Sequence, residues 1–252
     1  MKDYLTLLVI SFFFVTHAQK ESKLIQQTEL QADVFVGCDY DMNYYYFSKT
    51  VLSKKTKKNE LNYTNFLFGN ITSVDISNPL KIVVFYEDFN VIILLDSQLN
   101  ELDILQLPYD ISHVTKGIEN HIWLYTRNTQ TIESYNYKTK TIVSKSQPLK
   151  NTNVLAMKST SNYVYLLTPG FIKTYDYLGS FIHETKAMNV IDFQYNNRVL
   201  YTQSKNTIHK IKDSKETYIL PQAIKIKNFF TINHHLYIFD GSQLYLFSTE
   251  KK

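Results

Sequence analysis

The chain has 252 residues, of which 44% are hydrophobic and 15% aromatic, with 20 Tyr and 16 Phe. This composition predicts a folded protein rich in β-strands, because aromatic and β-branched side chains suit a pleated, half-buried surface. A net charge of only +4 does not indicate nucleic-acid binding. The single Cys38 excludes an intramolecular disulfide, which favours a bacterial periplasm or cell surface over the disulfide-rich secretions of animals.

Residues 1–18 have the pattern of a secretory signal peptide. Lys2 precedes an apolar run from Leu5 to Val15, and the small residue Ala18 stands at the expected cleavage point. A membrane anchor is the alternative, but the run is shorter than the ~20 apolar residues that span a bilayer. We expect an exported protein, periplasmic, at the cell surface or secreted, with no transmembrane segment in the mature chain. Residues 19–252 are expected to form one domain, since closed all-β folds of this size commonly do.

After this leader the chain repeats one unit. Residues 71–107 contain four short apolar runs separated by three turns, which predicts four strands. A four-stranded meander cannot bury both of its faces alone and has to pack against copies of itself. The second strand of the unit recurs at steps of 36 to 41 residues, beginning at Asn43, Lys81, His121, Asn162, Arg198 and His235. We therefore predict an all-β fold, a six-bladed β-propeller.

The N-terminal segment is predicted to close the ring. The last unit has no fourth strand after its third apolar run, Leu244 to Phe247, whereas Ser22 to Gln31 precedes the first unit and has no place in it. Pairing of residues near Leu24 to Thr28 as the outermost strand of the last blade removes an unpaired sheet edge.

Three recurring features are interpreted as structural. One aromatic residue stands at the same depth of each second strand, which indicates packing between blades: Tyr44, Phe85, Trp123, Tyr165, Tyr201 and Tyr237. A polar residue that ends each third strand is expected to bond the next turn: Asp96, Asn136, Asp176, Asp213 and Ser248. The basic run of Lys54, Lys55, Lys57 and Lys58 could meet phosphate or anionic lipid, but a solvated outer hairpin is favoured.

Candidate binding residues lie in two sets of loops. Loops from second to third strands, and loops from one blade to the next, gather on one face of a propeller, which we call the loop face. The loops are short and of mixed charge, so they predict a flat surface for a protein partner and not an enclosed substrate site. The candidates are Glu87, Asp88, Tyr109, Arg127 and Lys205.

A second candidate region is the central channel between the inner strands. Counting back from the second strands places one residue of each blade there: Gly37, Asp75, Thr115, Ala156, Asp192 and Phe229. Asp75 and Asp192 could form an acid pair or half a cation site, although small residues also fit simply because inner strands converge. No serine-hydrolase elbow, zinc motif or nucleotide-binding loop occurs, and no cofactor is expected.

The units resemble the blades of six-bladed propellers of the NHL and TolB type, as in VDISNPLKIVVFYEDFNVIILLD. The resemblance covers residues 22–252 and concerns architecture, and propellers host many functions. The leading hypothesis is an exported, non-catalytic module for protein–protein interaction, and its more specific form is an accessory subunit of a bacterial envelope or outer-membrane complex. Two alternatives stay open: a metal-dependent hydrolase or lactonase, as among some six-bladed relatives, with Asp75 and Asp192 at a cation, and a glycan-binding propeller using Tyr109 or Tyr44 to Tyr46.

Overall fold

The computed structural model describes residues 19–149, 153–196, 198–211, 215–219 and 224–249. The expected signal peptide and Asp213 lie outside these residues. Two strands come first, β1 (Gln19–Glu21) and β2 (Lys23–Glu29). A single 3-10 turn is described, Glu87–Phe89.

Six sheets follow in chain order, each running from an inner to an outer strand. Blade 1 contains β3 (Val34–Cys38), β4 (Tyr44–Ser48), β5 (Val51–Lys55) and β6 (Glu60–Thr64). Blade 2 contains β7 (Ser73–Asp75), β8 (Ile82–Tyr86), β9 (Val91–Leu95) and β10 (Glu101–Gln106). Blade 3 contains β11 (Ile111–Lys116), β12 (His121–Thr126), β13 (Thr131–Asn136) and β14 (Thr141–Lys145).

The other three blades have the same order. Blade 4 contains β15 (Ala156–Ser159), β16 (Tyr163–Thr168), β17 (Gly170–Asp176) and β18 (Phe181–Ala187). Blade 5 contains β19 (Asp192–Asn196), β20 (Val199–Ser204), β21 (Thr207–Ile211) and β22 (Lys215–Ile219). Blade 6 contains β23 (Asn228–Ile232), β24 (His235–Phe239) and β25 (Gln243–Ser248). Sequential strands pair antiparallel in every blade, so the predicted six-bladed β-propeller is confirmed.

The N-terminal strands join the two ends of the chain. β2 pairs antiparallel with β25, with Leu24 opposite Phe247 and Thr28 opposite Leu244, which confirms the predicted closure. β1 was not predicted: it pairs parallel with β22 and adds a fifth strand to blade 5. The N-terminal segment is therefore hydrogen-bonded to two neighbouring blades.

The apolar core lies between the blades. Each of six clusters of buried side chains combines residues from two adjacent blades, and together the clusters cover all six junctions of the ring. Five of the six aromatic residues at the repeated position are buried, and the sixth, Tyr44, packs edge-on against Tyr237 with ring centroids 5.9 Å apart. The interpretation of these residues as inter-blade packing is confirmed.

The polar residues after the third strands organise the turns as predicted. Asp96 Oδ1 accepts hydrogen bonds from the backbone N–H groups of Gln98 (2.7 Å) and Asn100 (2.9 Å). Asn136 and Asp176 bond the next turns in the same way. Ser248 ends β25 and is followed by no fourth strand of its own blade in the part of the chain described, because β2 fills that place.

The expected solvation of the basic run is wrong for Lys54. Its side chain is 5% exposed, donates from Nζ to the Ser97 carbonyl oxygen at 2.7 Å and lies 5.4 Å from the centre of the Tyr45 ring. Lys54 belongs to β5, so its side chain enters the junction of blades 1 and 2, while Lys55 points to the opposite side of the strand and is exposed. The long stem packs against apolar neighbours and the ammonium group reaches a carbonyl oxygen.

Two neighbouring residues of β2 test the contribution of ring closure. Leu24 packs against the cluster between blades 5 and 6, whereas the Ile25 side chain is exposed. We expect Leu24→Ala to lower the free energy of unfolding by about 1–2 kcal/mol, because the site is only partly buried, and Ile25→Ala to change it by less than about 0.5 kcal/mol. Urea denaturation of the two variants measures both values. Equal effects would show that β2 does not contribute through the core.

Candidate functional site

The loop face brings together residues of blades 2 and 3. Arg127, which follows β12, donates from Nη1 to Asp110 Oδ1 at 2.8 Å and from Nη2 to Glu87 Oε1. Its backbone N–H also donates to the Asp110 carbonyl oxygen at 2.8 Å. Although partial burial acts in the opposite direction, the two carboxylates raise the pKa of Arg127 above its usual value. Glu87 and Arg127 were both predicted candidates, while Asp110 was known only as part of the same loop set.

We call Arg127, Glu87 and Asp110 the Arg127 trio. The Arg127 trio mainly fixes the shape of the loop face. Exposed ion pairs contribute only about 0–1 kcal/mol to stability. The pairing of Arg127 with carboxylates from two separate loops nevertheless holds three connections of the ring in one arrangement.

The other predicted residues differ in their surroundings. Asp88 is exposed within the 3-10 turn, next to Glu87. Tyr109 is half-buried and packs against the apolar cluster between blades 2 and 3, so part of its surface is already used. Lys205 is exposed in the turn between β20 and β21, on blade 5, and has a φ angle of 53°.

The same face carries an apolar patch that was not predicted from the sequence. Phe66, Leu67 and Phe89, which we call the apolar patch, are 82%, 76% and 48% exposed. Phe66 and Leu67 lie in the connection from β6 to β7. Isolated exposed apolar residues are common, but an adjacent group of large ones often marks an interaction surface.

The apolar patch is held in place by Phe68, the residue that follows Leu67. Phe68 packs against Phe89 and Tyr86, with ring centroids 6.2 and 5.8 Å away. The backbone N–H of Glu87 donates to Thr72 Oγ1 at 2.9 Å, which ties the connection to the 3-10 turn. An apolar run outside the strand pattern, Phe66 to Phe68, was the signal in the sequence that could have identified the patch.

The central channel forms a cavity of about 780 Å³. Asp75, Thr115 and Ala156 of the predicted column line it, and the other three members lie on inner strands without lining it. Gly37 is required for another reason: at its φ of +148° a Cβ atom would lie 2.5 Å from the Phe230 ring. The close approach of blades 1 and 6 therefore depends on glycine.

The structure does not bring Asp75 and Asp192 together. Asp75 pairs with Val83 near the start of β8, whereas Asp192 pairs with Gln203 near the end of β20. Since second strands all run in one direction along the channel, the two carboxylates lie toward opposite ends of it. Counting back from the second strands did not place the two residues at equal depth, because the hairpin between inner and second strands differs in length from blade to blade. Among the described residues, no group of three or more His, Cys, Asp or Glu side chains could hold a metal ion.

Asp75 links blades 2 and 3. Its Oδ2 accepts hydrogen bonds from Thr115 Oγ1 (2.5 Å) and the Lys116 N–H (2.9 Å), and its Oδ1 accepts from the Ser77 N–H (2.8 Å). Thr115 Oγ1 also lies 3.1 Å from Ser159 Oγ, which extends the network to blade 4. Burial alone would raise the pKa of Asp75, but these donors lower it below the usual value. Both oxygens of this carboxylate therefore already accept hydrogen bonds from the fold.

Asp192 has the opposite environment. Burial raises the pKa of its carboxyl group, and only the nearby charge of Lys158 and the N–H of Phe193 act in the other direction. The Phe193 N–H donates a hydrogen bond to Asp192 Oδ1 at 2.8 Å. The ionised form of Asp192 is therefore less well stabilised than that of Asp75.

Amide side chains close the channel wall between blades 5 and 6. Gln194 Nε2 donates to the Phe229 carbonyl oxygen at 2.9 Å, and its Oε1 accepts from the Thr231 N–H at 2.8 Å. Asn196 Nδ2 donates to the Thr231 carbonyl oxygen at 2.9 Å. The Gln194 amide thus pairs with the neighbouring inner strand as a peptide group would.

Comparison with solved structures finds other propellers. Virginiamycin B lyase from Staphylococcus aureus has a TM-score of 0.65 at 11% identity, covering 88% of this chain and 99% of the lyase. BamB from Moraxella catarrhalis has a TM-score of 0.55 at 10% identity, covering 90% and 97%. The Pan2 WD40 domain of Neurospora crassa has a TM-score of 0.61 at 10% identity, covering 88% and 76%.

The chain is a six-bladed β-propeller. This is the architecture that the sequence predicted. Neither a family model nor a curated protein matches the sequence. At identities this low, the likeness to solved structures shows the fold alone. In the described part of the chain, no helix has the length and apolar character needed to cross a membrane.

The two channel aspartates predict opposite responses to neutralisation. The lowered pKa of Asp75 means that its ionised form stabilises the fold; this contribution is present above the unfolded value of ~3.9 and is lost as pH falls through the folded pKa. We expect Asp75→Asn to cost about 2–3 kcal/mol at pH 7, since charged acceptors form strong hydrogen bonds, and much less at pH 2.5.

Asp192→Asn is the matched control. Because the pKa of Asp192 is raised, its ionised form weakens the fold above that pKa, and neutralisation should cause no loss at pH 7. Denaturant titrations at the two pH values measure both variants. A loss for Asp192→Asn as large as that for Asp75→Asn would contradict the assignment.

Proposed function

We propose that this protein is an interaction module that binds a protein partner through its loop face. The observation that carries the proposal is the apolar patch, three large side chains exposed beside the Arg127 trio. Aromatic residues and arginine are enriched where protein interfaces gain most of their binding free energy. In this proposal the patch acts by binding, without a catalytic step of its own.

The patch is suited to rigid binding. Phe68 and Thr72 fix the connection that carries Phe66 and Leu67, and Arg127 fixes the neighbouring turn. A surface that is ordered before binding loses less conformational entropy when the partner docks. The surrounding acidic and basic groups provide a polar rim, which contributes to specificity and association rate more than to affinity.

The proposal includes export and a bacterial envelope partner. The support is the leader pattern of residues 1–18 together with the single cysteine. An accessory subunit of an envelope or outer-membrane complex would use a rigid propeller to hold a partner. The metal-dependent alternative loses its main motivation, since Asp75 and Asp192 lie apart.

Charge placed in the apolar patch tests the binding face. We expect Phe66→Asp with Leu67→Asp to reduce partner capture at least 10-fold, because central apolar contacts contribute about 1–2 kcal/mol or more each. Tagged protein expressed in its own cells, purified after cross-linking and analysed by quantitative mass spectrometry, gives the amount of each partner retained.

Tyr40→Asp with Leu80→Asp is the matched control. These residues are 77% and 73% exposed and lie in turns between inner and second strands, on the opposite face of the ring. Capture should match that of the wild type, and both double variants should keep its melting temperature. If only the control variant loses the partner, the loop face is the wrong surface.

Export is tested separately by intact-mass analysis. Protein recovered from the producing cells should begin at or near Gln19, because signal peptidase removes the leader. Cytoplasmic material that keeps residues 1–18 under native expression contradicts export without affecting the proposed binding face.

A further inference from the structure

A β-bulge at the start of β11 changes the direction of two adjacent side chains. Ile111 pairs with Thr126 and His113 pairs with Tyr125, so Ser112 is an extra residue without a cross-strand partner. Consecutive residues of a regular strand point to opposite faces, and a bulge removes this restriction. As a result, Ser112 Oγ lies 2.9 Å from His113 Nδ1.

The His113 ring is oriented from a second side. It hydrogen-bonds to the backbone of Leu155, in blade 4, and packs edge-on against Tyr125 with ring centroids 6.3 Å apart. One tautomer satisfies both hydrogen bonds: the ring donates to the Leu155 carbonyl oxygen and accepts at Nδ1 from the Ser112 hydroxyl. A hydroxyl, a base and a group that orients the base form the arrangement that activates a serine nucleophile.

Burial keeps the base neutral. Burial lowers the pKa of His113, and the positive charges of Arg127 and Lys158 act in the same direction. The Leu155 bond and the negative charge of Glu87 oppose this shift without reversing it. An imidazole that is neutral at pH 7 can accept a proton from serine.

The pair faces a cavity large enough for a substrate. Ser112, His113, Arg127, Leu155 and Lys158 all line the channel cavity of about 780 Å³, which lies within the size range of small-molecule sites. Lys158 supplies a positive charge near the pair, and such charge stabilises an oxyanion that develops on a substrate carbonyl oxygen. The charge of Arg127 is already balanced by Glu87 and Asp110.

We propose that Ser112 and His113 form a nucleophile–base pair that cleaves carboxylic esters at the loop-face end of the channel. Ser112 Oγ bonds to the acyl carbon while its proton moves to His113 Nδ1. The bond to the alcohol oxygen breaks, and this oxygen takes the proton from His113. A water molecule then attacks the acyl-enzyme, gives a proton to His113 and releases the acid, after which the proton returns to Ser112. The net reaction consumes one ester and one water and yields one acid and one alcohol. This chemistry goes beyond the proposed binding function, because it uses the channel and not the apolar patch.

A serine-directed fluorophosphonate and p-nitrophenyl acetate are the two probes. We expect the full-length purified protein to form an adduct on Ser112, located by peptide mass spectrometry, and to hydrolyse p-nitrophenyl acetate. Ser112→Ala should form no adduct at this position, and His113→Gln should lower the hydrolysis rate at least 100-fold. The wild-type rate should rise with pH as His113 loses its proton, and His113→Gln should lose this dependence.

Two control variants separate this chemistry from surface reactivity. Ser161→Ala removes a hydroxyl that lines the other end of the cavity, and His183→Gln removes an exposed imidazole on β18. Both should keep the wild-type labelling and rate. Absence of an adduct on Ser112 in the wild-type protein overturns the proposal. This test uses only the wild-type protein, so it does not depend on whether a variant folds. Hydrolysis by Ser112→Ala at the wild-type rate also overturns it.

Discussion

Every part of this protein depends on the need of a four-stranded sheet to cover both of its faces. No blade has a core of its own: the buried side chains lie in six clusters, and each cluster is shared by two neighbours. Removing one blade would expose two of these clusters, so the ring is stable only as a whole. Neighbouring blades also depend on each other at the channel wall, where the inner strands belong to separate sheets. There the polar network of Asp75, Thr115 and Ser159 and the amide pairing of Gln194 connect one blade to the next.

The same constraint explains how far the sequence could predict the fold. A repeat of apolar strands, each with a large aromatic residue in its second strand, predicts the number of blades, because each junction between blades needs large buried side chains. The depth of this residue is less constant than predicted, since Tyr44 begins β4 and Phe85 is the fourth residue of β8. The missing fourth strand of blade 6 predicts the position of β2. The parallel strand β1 was not predictable in this way, since it completes no unit and instead extends an already complete blade.

Site residues were harder to predict because they depend on local departures from the repeat. Lys54 follows the alternation of β5 into an interface, but its charge suggested solvent. Asp75 and Asp192 were matched by counting along the chain, and hairpins of unequal length moved them to different depths. In a regular strand, the adjacent residues Ser112 and His113 would point to opposite faces. The β-bulge at Ser112 brings their side chains together, and no signal in the repeat predicts it. Phe66 and Leu67 lie in a connection outside the strand pattern, so the repeat gave no reason to select them.

The closure by β2 also has a consequence for biosynthesis. Leu24 and Phe247, which face each other across the seam, are separated by almost the whole length of the chain. Contacts between such distant positions form slowly, because a long loop has to be closed before they stabilise anything. β2, which is synthesised early, therefore remains unpaired until β25 has been made, and its free edge stays open to other chains in the meantime. A nascent propeller of this design needs either rapid completion or a chaperone that covers the waiting strand.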